Sequence, residues 1–299
     1  MKKVAIYGQS YNTNAKKEVL LLLASLEKKG IVAFFEETFY KLFQQKGALP
    51  KKYPTFSEFS DLNNSFDLMF TIGGDGTILR AVTYIRDLDI PILGINTGRL
   101  GFLATIPNDE IETAIELLLN KKYSIQERTL LSVETSPNTG AFSDIYFALN
   151  ELTVARKNTT SMIGVKTYLN DEYLTNYWAD GLIIATPTGS TGYSLSCNGP
   201  VVLPDSHNLV ITPIAPHNLN ARPLIISDTT KIRLEISGRE NDFLMSLDSR
   251  IASVPQDTII SIEKAPFTIK SILLENQSFL KTLRSKLLWG EDTRNKSEL

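Results

Sequence analysis

A stretch of three glycines around one aspartate is the first candidate for chemistry in this sequence. FTIGGDGTILRAV, residues 70–82, places Gly73, Gly74 and Gly76 around Asp75, between an apolar run and a helical pattern. Such a bare backbone lets consecutive N–H groups turn toward one anion at the start of a helix, predicted near Thr77. The segment matches neither the P-loop nor the GxGxxG pattern, so it predicts a phosphate site of another kind.

Asp75 is the residue in this stretch that needs an explanation. A carboxylate beside a phosphate site is electrostatically unfavourable unless it takes a proton from an attacking hydroxyl or meets a metal ion. The structural alternative is that Asp75 caps the helix. Because GGDGT follows a predicted strand, we favour the functional interpretation, and Arg80, one helical turn on, is a candidate phosphate contact.

A second candidate is the hydroxyl-rich segment DGLIIATPTGSTGYSLSCNGP, residues 180–200. Its apolar run is followed by five hydroxyl side chains and two glycines between Thr186 and Tyr193. This composition predicts hydrogen bonds to phosphate and ribose oxygens, with Tyr193 placed to stack on a base. The structural alternative is a polar connecting loop.

The third candidate is the polar pair Asn150-Glu151, inside the otherwise apolar stretch YFALNELTVA. Adjacent strand residues point to opposite faces, so both can serve one site only at a strand end or a bulge. Asparagine can pair with an adenine edge, and glutamate can accept hydrogen bonds from ribose hydroxyls. A simple strand terminus is the structural alternative.

The first third of the chain alternates strand and helix patterns, which predicts an open α/β layer with a parallel sheet. Strands are predicted at 3–7, 31–35, 66–72 and 91–96, and helices at 14–29 and 77–87. Gly73–Gly76 and Asn96–Gly101 would then both lie at the carboxyl ends of strands, where ligands bind in such sheets. Residues 41–64, polar and interrupted by prolines, are predicted to form a surface loop or lid.

The second half of the chain predicts antiparallel β structure. After a helix at 109–120, strand-like segments follow one another with little helix between them, and LNDEY at 169–173 indicates a hairpin. A last amphipathic helix is predicted at 279–290, packed on the first domain. We therefore predict a Rossmann-like α/β domain of residues 1–105 with 273–299, and an all-β, mostly antiparallel sandwich of residues 106–272.

Composition narrows the class of protein further. The chain has 299 residues with 31 basic and 33 acidic side chains, which argues against a dedicated nucleic-acid binder. One cysteine excludes an internal disulfide, and two histidines are too few for a His-rich metal centre. The apolar run from Val19 to Leu26 is far too short to span a membrane, and no signal-peptide pattern is present. These features predict a cytoplasmic protein without a membrane partner.

Taken together, the motifs resemble those of the NAD kinase family. The resemblance covers nearly the whole chain and is carried by five segments in the family's order: GGDGTILRA at 73–81, NTGRLGFLA at 96–104, NELTVAR at 150–156, DGLIIATPTGSTGYSLSCNGP at 180–200 and PIAPHNLNARPLII at 213–226. The first motif is shared with lipid kinases and, more loosely, with phosphofructokinases. The whole set is specific to NAD kinases.

The resemblance implies transfer of the ATP γ-phosphoryl group to the 2′-hydroxyl of the adenosine ribose of NAD, giving NADP and ADP. It implies that Asp75 is the general base, that Gly76 lies beside the substrate and that Arg80 contacts phosphate. Asn150 and Glu151 would hold adenine and ribose.

The remaining implied contacts lie in the second half of the chain. Asp180 would bind toward the nicotinamide half, and Ala215 would line the pocket. The adenosine would be enclosed by Thr191, Gly192, Tyr193, Ser194, Leu195 and Ser196. The resemblance also implies Mg²⁺ bound with ATP rather than by protein ligands, and a homodimer or homotetramer.

Two departures from the family pattern and two rival functions remain at this point. Many members carry TAYS where this chain has Thr191-Gly192-Tyr193-Ser194, and often a glutamine where it has Arg250, so Arg250 is not assigned to the site.

One rival is a lipid kinase, which needs an apolar slot for acyl chains. The other is a non-catalytic dinucleotide sensor, in which Asp75 would be dispensable.

Overall fold

The structure, a computed structural model, describes residues 1–98, 101–142, 144–158 and 161–288. The chain divides into two compact units, residues 1–127 with the chain from Ile269 onward, and residues 128–268. No helix within the described ranges is long and apolar enough to cross a membrane.

Strands and helices alternate in the first unit, as predicted. Its elements are β1 (Lys3–Gly8), α1 (Thr13–Lys28), β2 (Val32–Glu36), α2 (Glu37–Gln45), β3 (Thr55–Phe56), β4 (Leu68–Ile72), α3 (Asp75–Ile85), β5 (Ile92–Ile95) and α4 (Ile111–Leu119). The strands form a sheet in the order β3-β2-β1-β4-β5, and every adjacent pair is parallel. The prediction of a parallel α/β layer is confirmed.

Periodicity explains why these segments adopt these structures. Strand β1 buries a continuous apolar run, as expected for a strand covered on both faces. Helix α1 buries Val19, Leu22 and Leu26 at helical spacing and leaves its lysines exposed, while Glu18 is buried. Because β4 and β5 are parallel neighbours, the loops after them begin at the same edge, and the Gly73 N–H donates to the Ile95 carbonyl at 3.0 Å.

The predicted surface loop or lid at 41–64 is wrong. Helix α2 continues to Gln45, and Phe43 is completely buried, with its ring 4.9 Å from the rings of Tyr11 and Phe39. Further on, β3 adds a parallel strand beside β2, and Phe56 is buried. The segment is packed because its apolar side chains reach the core from irregularly spaced positions on both sides of the prolines, and such spacing has no helix or strand period to detect.

The second unit is built of antiparallel strands. Its elements are β6 (Tyr123–Ser136), which begins in the first unit, β7 (Phe147–Ala148), β8 (Glu151–Ala155), β9 (Ile163–Leu169), β10 (Glu172–Ala179), β11 (Gly181–Ala185), α5 (Tyr193–Ser196), β12 (Asn208–Ile214), β13 (Leu224–Ser227), β14 (Ile232–Ser237), β15 (Asp242–Leu247), β16 (Arg250–Pro255) and β17 (Ile259–Leu274), which ends in the first unit. One sheet has the order β13-β12-β11-β8-β15-β16, and the other contains β10-β9-β14-β17, with β6 beside β17.

Both sheets of the second unit cover one apolar core. Val165 and Leu234 come from one sheet, and Val154, Ile184 and Phe243 from the other. The prediction of a mostly antiparallel β sandwich is therefore confirmed. Strands β15 and β16 were not predicted.

The predicted hairpin is also confirmed. Asn170 and Asp171 have left-handed φ angles of 49° and 67° and join β9 to β10 in a two-residue hairpin. The last helix, α6 (Phe279–Leu287), belongs to the first unit, where the Phe279 ring lies 6.1 Å from that of Phe102. Residues 289–290 of the predicted helix lie outside the described residues.

The division between the units differs from the predicted domain limits. It falls after residues 127 and 268, whereas the sequence placed the limits after 105 and 272. Helix α4 accounts for the first difference, because Ile111, Ala114 and Ile115 pack into the core of the first unit.

Candidate active site

Asp75 is the first residue of α3, and its carboxylate is bound by the loop that follows β5. Oδ2 accepts the Phe102 N–H at 2.8 Å, and Oδ1 accepts those of Leu103 and Ala104 at 3.0 and 2.9 Å. The N-cap of α3 is Gly74, and no side-chain hydrogen bond caps this helix. The carboxylate is therefore oriented by another segment and is not a helix cap. The helix begins two residues before the predicted Thr77.

Gly101 permits this arrangement because it has no side chain. A Cβ atom at residue 101 would overlap Asp75 Oδ1 and lie 2.6 Å from Cγ and 2.9 Å from Oδ2. Sequence reasoning did not place Gly101 in the site, although its position in NTGRLGFLA at the predicted carboxyl edge was a usable signal. Arg99 and Leu100 of that motif lie outside the described residues.

The remaining glycines leave the surface beside Asp75 open. Gly73 has a φ of 153°, and a Cβ there would collide with the Thr77 side chain. Outside their chain neighbours and the backbone of α3 itself, no atom of the described part of the chain lies within 4 Å of the position that a Cβ would take at Gly74 or Gly76, and both residues are exposed. Arg80 is exposed on the same helix. The first turn of a helix has backbone N–H groups without intrahelical acceptors, so this exposed turn suits an anion.

In the second unit, strand β7 ends at Ala148 and β8 begins at Glu151, and we call this interruption the β7–β8 break. Asn150 lies within it, and Glu151 lies at its end. The Asp248 carboxylate accepts the N–H groups of Leu149, Asn150 and Glu151 at 3.0, 2.7 and 3.2 Å. This is the strand end that the sequence analysis required if both side chains are to serve one site.

The carbonyl groups of the same segment accept hydrogen bonds from the turn after β11. Thr186 donates its N–H to the Asn150 carbonyl at 2.9 Å and its hydroxyl to the Leu149 carbonyl at 2.6 Å. A Cβ at Gly189 would lie 2.5 Å from the carbonyl carbon of Asn150 and 2.8 Å from its Cα, so only glycine allows this approach. Asn150 is thus fixed on both sides of its backbone.

The polar ends of both side chains converge on Gly192. A Cβ there would lie 3.0 Å from Glu151 Oε2 and 3.3 Å from Asn150 Nδ2. Glu151 Oε2 and Asn150 Oδ1 are buried and have no hydrogen-bond partner among the described residues. Burial, followed by the negative charge of Asp248, raises the pKa of Glu151 to about 7, partly opposed by the Tyr193 N–H.

The hydroxyl-rich segment is oriented differently from the prediction. Thr186 is fully buried and bonded as described above, and Ser190 is fully buried, donating to the Pro187 carbonyl at 2.7 Å and accepting the Val202 N–H at 3.0 Å. The expectation that these two hydroxyls serve a ligand is therefore wrong. The Ser194 hydroxyl is also buried and bonds Thr212 at 2.8 Å.

Other predicted residues of this segment remain accessible. Tyr193 is exposed by 45% at the start of α5, Ser196 is exposed, and Thr191, Gly192 and Leu195 are half-buried. Burial raises the pKa of Tyr193, and Cys197 and Asp180 contribute to the same direction. The Tyr193 ring is therefore available for a planar ligand.

Asp180 and Ala215 lie together at the ends of neighbouring strands. The Asp180 N–H donates to the Ile214 carbonyl at 3.0 Å, and Ala215, exposed and with a φ of 42°, directly follows. The Asp180 carboxylate pairs with Arg156 at 2.9 Å. A ligand contact at Asp180 therefore involves a carboxylate that already has a cationic partner.

Arg250 is directed into the protein. Its guanidinium donates to the Ile145 carbonyl at 2.6 Å and to that of Phe147, and lies 3.7 Å from Asp248. Burial lowers the pKa of Arg250, partly offset by Asp248. These contacts explain how a charged residue is accommodated at this position.

The first unit is an α/β layer with an oriented aspartate at a strand-loop-helix junction. The second is a β sandwich with a buried polar pair. Together these features define a two-domain nucleotide-binding protein. Two family models match this chain: the ATP-NAD kinase N-terminal domain over residues 10–123 and the ATP-NAD kinase C-terminal domain over residues 149–274. The chain belongs to the NAD kinase family, and the resemblance inferred from its motifs is confirmed.

Individual relatives and solved structures agree with this assignment. The chain is 58% identical to the NAD kinase of Christiangramia forsetii over 98% of this chain and 100% of the relative, and 54% identical to that of Flavobacterium psychrophilum over the same shares. An NAD kinase from Archaeoglobus fulgidus in complex with ATP superposes with a TM-score of 0.73 at 25% identity, covering 96% of this chain and 98% of that one. Yeast NADH kinase complexed with NADH shares the fold, with a TM-score of 0.88 at 23% identity and coverage of 99% and 89%.

Proposed function

We propose that this protein is an ATP-dependent NAD kinase, a phosphotransferase whose acceptor is the 2′-hydroxyl of the adenosine ribose of NAD. The observation that carries the choice of acceptor is the polar pair at the β7–β8 break. Glu151 Oε2 and Asn150 Oδ1 are buried acceptors without partners in the described structure. Such atoms are costly unless a ligand supplies donors, and an adenosine offers an amino group and two ribose hydroxyls.

The neighbouring residues suit the rest of an adenosine. The exposed Tyr193 ring is placed to stack on the base, next to Gly192 and within the segment 191–196. Asp180 and Ala215, at the start of β11 and the end of β12, would then contact the more distant part of the dinucleotide.

Asp75 is the proposed general base. A carboxylate accepts up to about four hydrogen bonds, and three sites are filled by the N–H groups of residues 102–104. Oδ2 accepts only one of them, so it has a site for the ribose hydroxyl. Asp75 would take the 2′-hydroxyl proton as O2′ bonds to the γ-phosphorus, while the bond to the β–γ bridging oxygen breaks and ADP leaves.

Donor phosphates would lie over the first turn of α3, beside Gly76 and with Arg80 in reach. A Mg²⁺ ion would be bound mainly by ATP phosphates and water, which is its usual mode. The ion would neutralise phosphate charge, and the residues named here would position and deprotonate the acceptor.

The two rival functions are not supported by the comparisons, in which both family models and the named relatives are NAD kinases. We also propose, as the family resemblance implies, a cytoplasmic homodimer or homotetramer. Light scattering of the purified protein tests the assembly, and a monomer at micromolar concentration would contradict it.

The experiment that tests the function measures NADP formation from NAD, ATP and Mg²⁺. We compare the wild type with Asp75→Asn and with Asp87→Asn, which changes an exposed aspartate just after the same helix. We expect the first variant to lose roughly 10² or more in kcat and the second to keep wild-type rates. No NADP from the folded wild type would refute the proposed reaction, and equal rates for Asp75→Asn would remove the base assignment.

A further inference from the structure

Where strand β7 gives way to β8, three consecutive backbone N–H groups bond to a side chain instead of to a neighbouring strand. Strand β7 ends at Ala148 and β8 begins at Glu151, so the N–H groups of residues 149–151 require acceptors from elsewhere. All three bond to the carboxylate of Asp248, which lies 97–99 positions away in the chain.

Asp248 is itself held in place. It lies between β15 and β16 with a left-handed φ of 53°, and its N–H donates to the Glu151 carbonyl at 2.9 Å. Its side chain is only 3% exposed, so no bulk solvent substitutes for the three backbone donors. The bond in the opposite direction makes the contact between residues 149–151 and Asp248 reciprocal.

Arg250 completes the arrangement from the next strand. Its guanidinium lies 3.7 Å from Asp248 and donates to the carbonyl groups of Ile145 and Phe147. One buried carboxylate therefore holds the N–H groups of residues 149–151, and one half-buried guanidinium holds carbonyl groups just before them.

We infer that Asp248 and Arg250 are positioning residues for acceptor binding, and that they fix the β7–β8 break so that Asn150 and Glu151 both face the pocket at Gly192. The opposite side of Asn150 is already fixed by Thr186 and Gly189, so Asp248 supplies the second side of a clamp. This inference rests on the proposed function for the identity of the ligand, NAD. Neither residue needs to contact NAD.

The test uses the full-length protein and the variants Asp248→Asn and Arg250→Gln. In Asp248→Asn, the asparagine retains one acceptor oxygen but turns an NH₂ group toward a backbone N–H. In Arg250→Gln, the glutamine retains a donor but loses the charge and the second donor group. The matched control is Asp242→Asn, on the same strand pair, whose carboxylate forms a partly exposed pair with Lys157 at 3.1 Å.

Two readouts are needed: the Kd for NAD by calorimetry without ATP, and the KM values for NAD and ATP. Losing one buried hydrogen bond at the clamp should weaken NAD binding by about tenfold or more in Asp248→Asn, and by a smaller factor in Arg250→Gln. The KM for NAD should rise in parallel, while that for ATP changes by less than about twofold. Asp242→Asn should match the wild type.

A double mutant separates positioning from general stability. If Asp248 acts through Asn150 and Glu151, then Asp248→Asn should weaken NAD binding by a smaller factor in the Asn150→Ala background than in the wild type. Additive losses would overturn the inference, as would a lower melting temperature with unchanged Kd and KM, or equal rises in both KM values.

Failure of the proposed function remains distinguishable from failure of this inference. A wild type that binds NAD but forms no NADP refutes the reaction, and the Kd values of the variants still decide the positioning role. A folded wild type that does not bind NAD overturns both.

Discussion

Replacing Gly101 with alanine should disable the candidate base without changing any ionisable group. The new Cβ atom would overlap Asp75 Oδ1 and lie 2.6 Å from the carboxylate carbon. Carbon atoms in contact are normally about 3.5–4.0 Å apart, so the carboxylate or the 101–104 loop must move by roughly 1 Å. Because the same loop donates the three hydrogen bonds to Asp75, either movement misorients the carboxylate.

A displacement of about 1 Å at a reacting group costs on the order of 10² in rate. We therefore expect Gly101→Ala to lower kcat for NADP formation by about that factor, close to the loss in Asp75→Asn. The KM for NAD should change little, because the acceptor pocket proposed around Asn150 and Gly192 is untouched. The assay is steady-state NADP formation, with thermal unfolding measured in parallel to verify that the variant is folded.

Gly98→Ala is the matched control from the same loop. Apart from its chain neighbours, no atom of the described residues lies within 4 Å of its added Cβ, and the bond from its N–H to Asn96 Oδ1 at 2.7 Å does not involve the side chain of residue 98. We expect wild-type kinetics. A folded Gly101→Ala variant with a kcat within about threefold of wild type would refute the argument that the orientation of Asp75 controls the reaction.

Three further outcomes follow from buried groups. Burial and the charge of Asp248 raise the pKa of Glu151 to about 7, so its carboxylate form, which accepts hydrogen bonds, becomes dominant above that pH. The KM for NAD should therefore fall as the pH rises from about 6 to 8. Glu151→Gln should flatten this dependence of KM on pH. Burial also raises the pKa of Glu18, whose oxygens have no partner in the described structure, from 4.5 to about 7, so stability declines as pH rises through this interval. Glu18→Met should therefore raise the free energy of unfolding by up to about 3 kcal/mol at pH 8 and much less below pH 4.5, as denaturant titrations at both pH values would show. Phe43→Ala should lower it by about 3–5 kcal/mol, whereas a loss below about 1 kcal/mol would mean that the 41–64 segment is not part of the core.

Sequence patterns predicted those parts of the fold in which one face or both faces of an element are buried. Strand β1 and helix α1 were recognisable because their apolar residues repeat with the period of the element. Strands β15 and β16 were missed, because their short apolar runs are interspersed with serines and charged residues. Helix α2 was not predicted, because Phe43 reaches the core from a polar context.

The candidate site was predictable where residue type alone indicates chemistry, and not where contacts are distant in the chain. The glycines around Asp75 and the pair at 150–151 were found from composition and spacing. The contact of Asp75 with residues 102–104 joins segments 27–29 positions apart, and no local pattern encodes it. The sequence also does not indicate which way a hydroxyl points. Thr186 and Ser190 were therefore interpreted as ligand contacts, although both hydroxyls donate to buried backbone carbonyl groups.

The described part of this chain contains two aspartates that bind backbone N–H groups in the same way, and they differ in solvent access. Asp75 and Asp248 each accept N–H groups from three consecutive residues, 102–104 and 149–151. The Asp75 residue is half-buried beside exposed glycines, so a substrate hydroxyl can reach the remaining site on its carboxylate. The Asp248 side chain is 3% exposed and has Arg250 beside it, so a substrate hydroxyl has no access to its carboxylate. Identical hydrogen bonding therefore supports a proposed base in one unit and a positioning residue in the other.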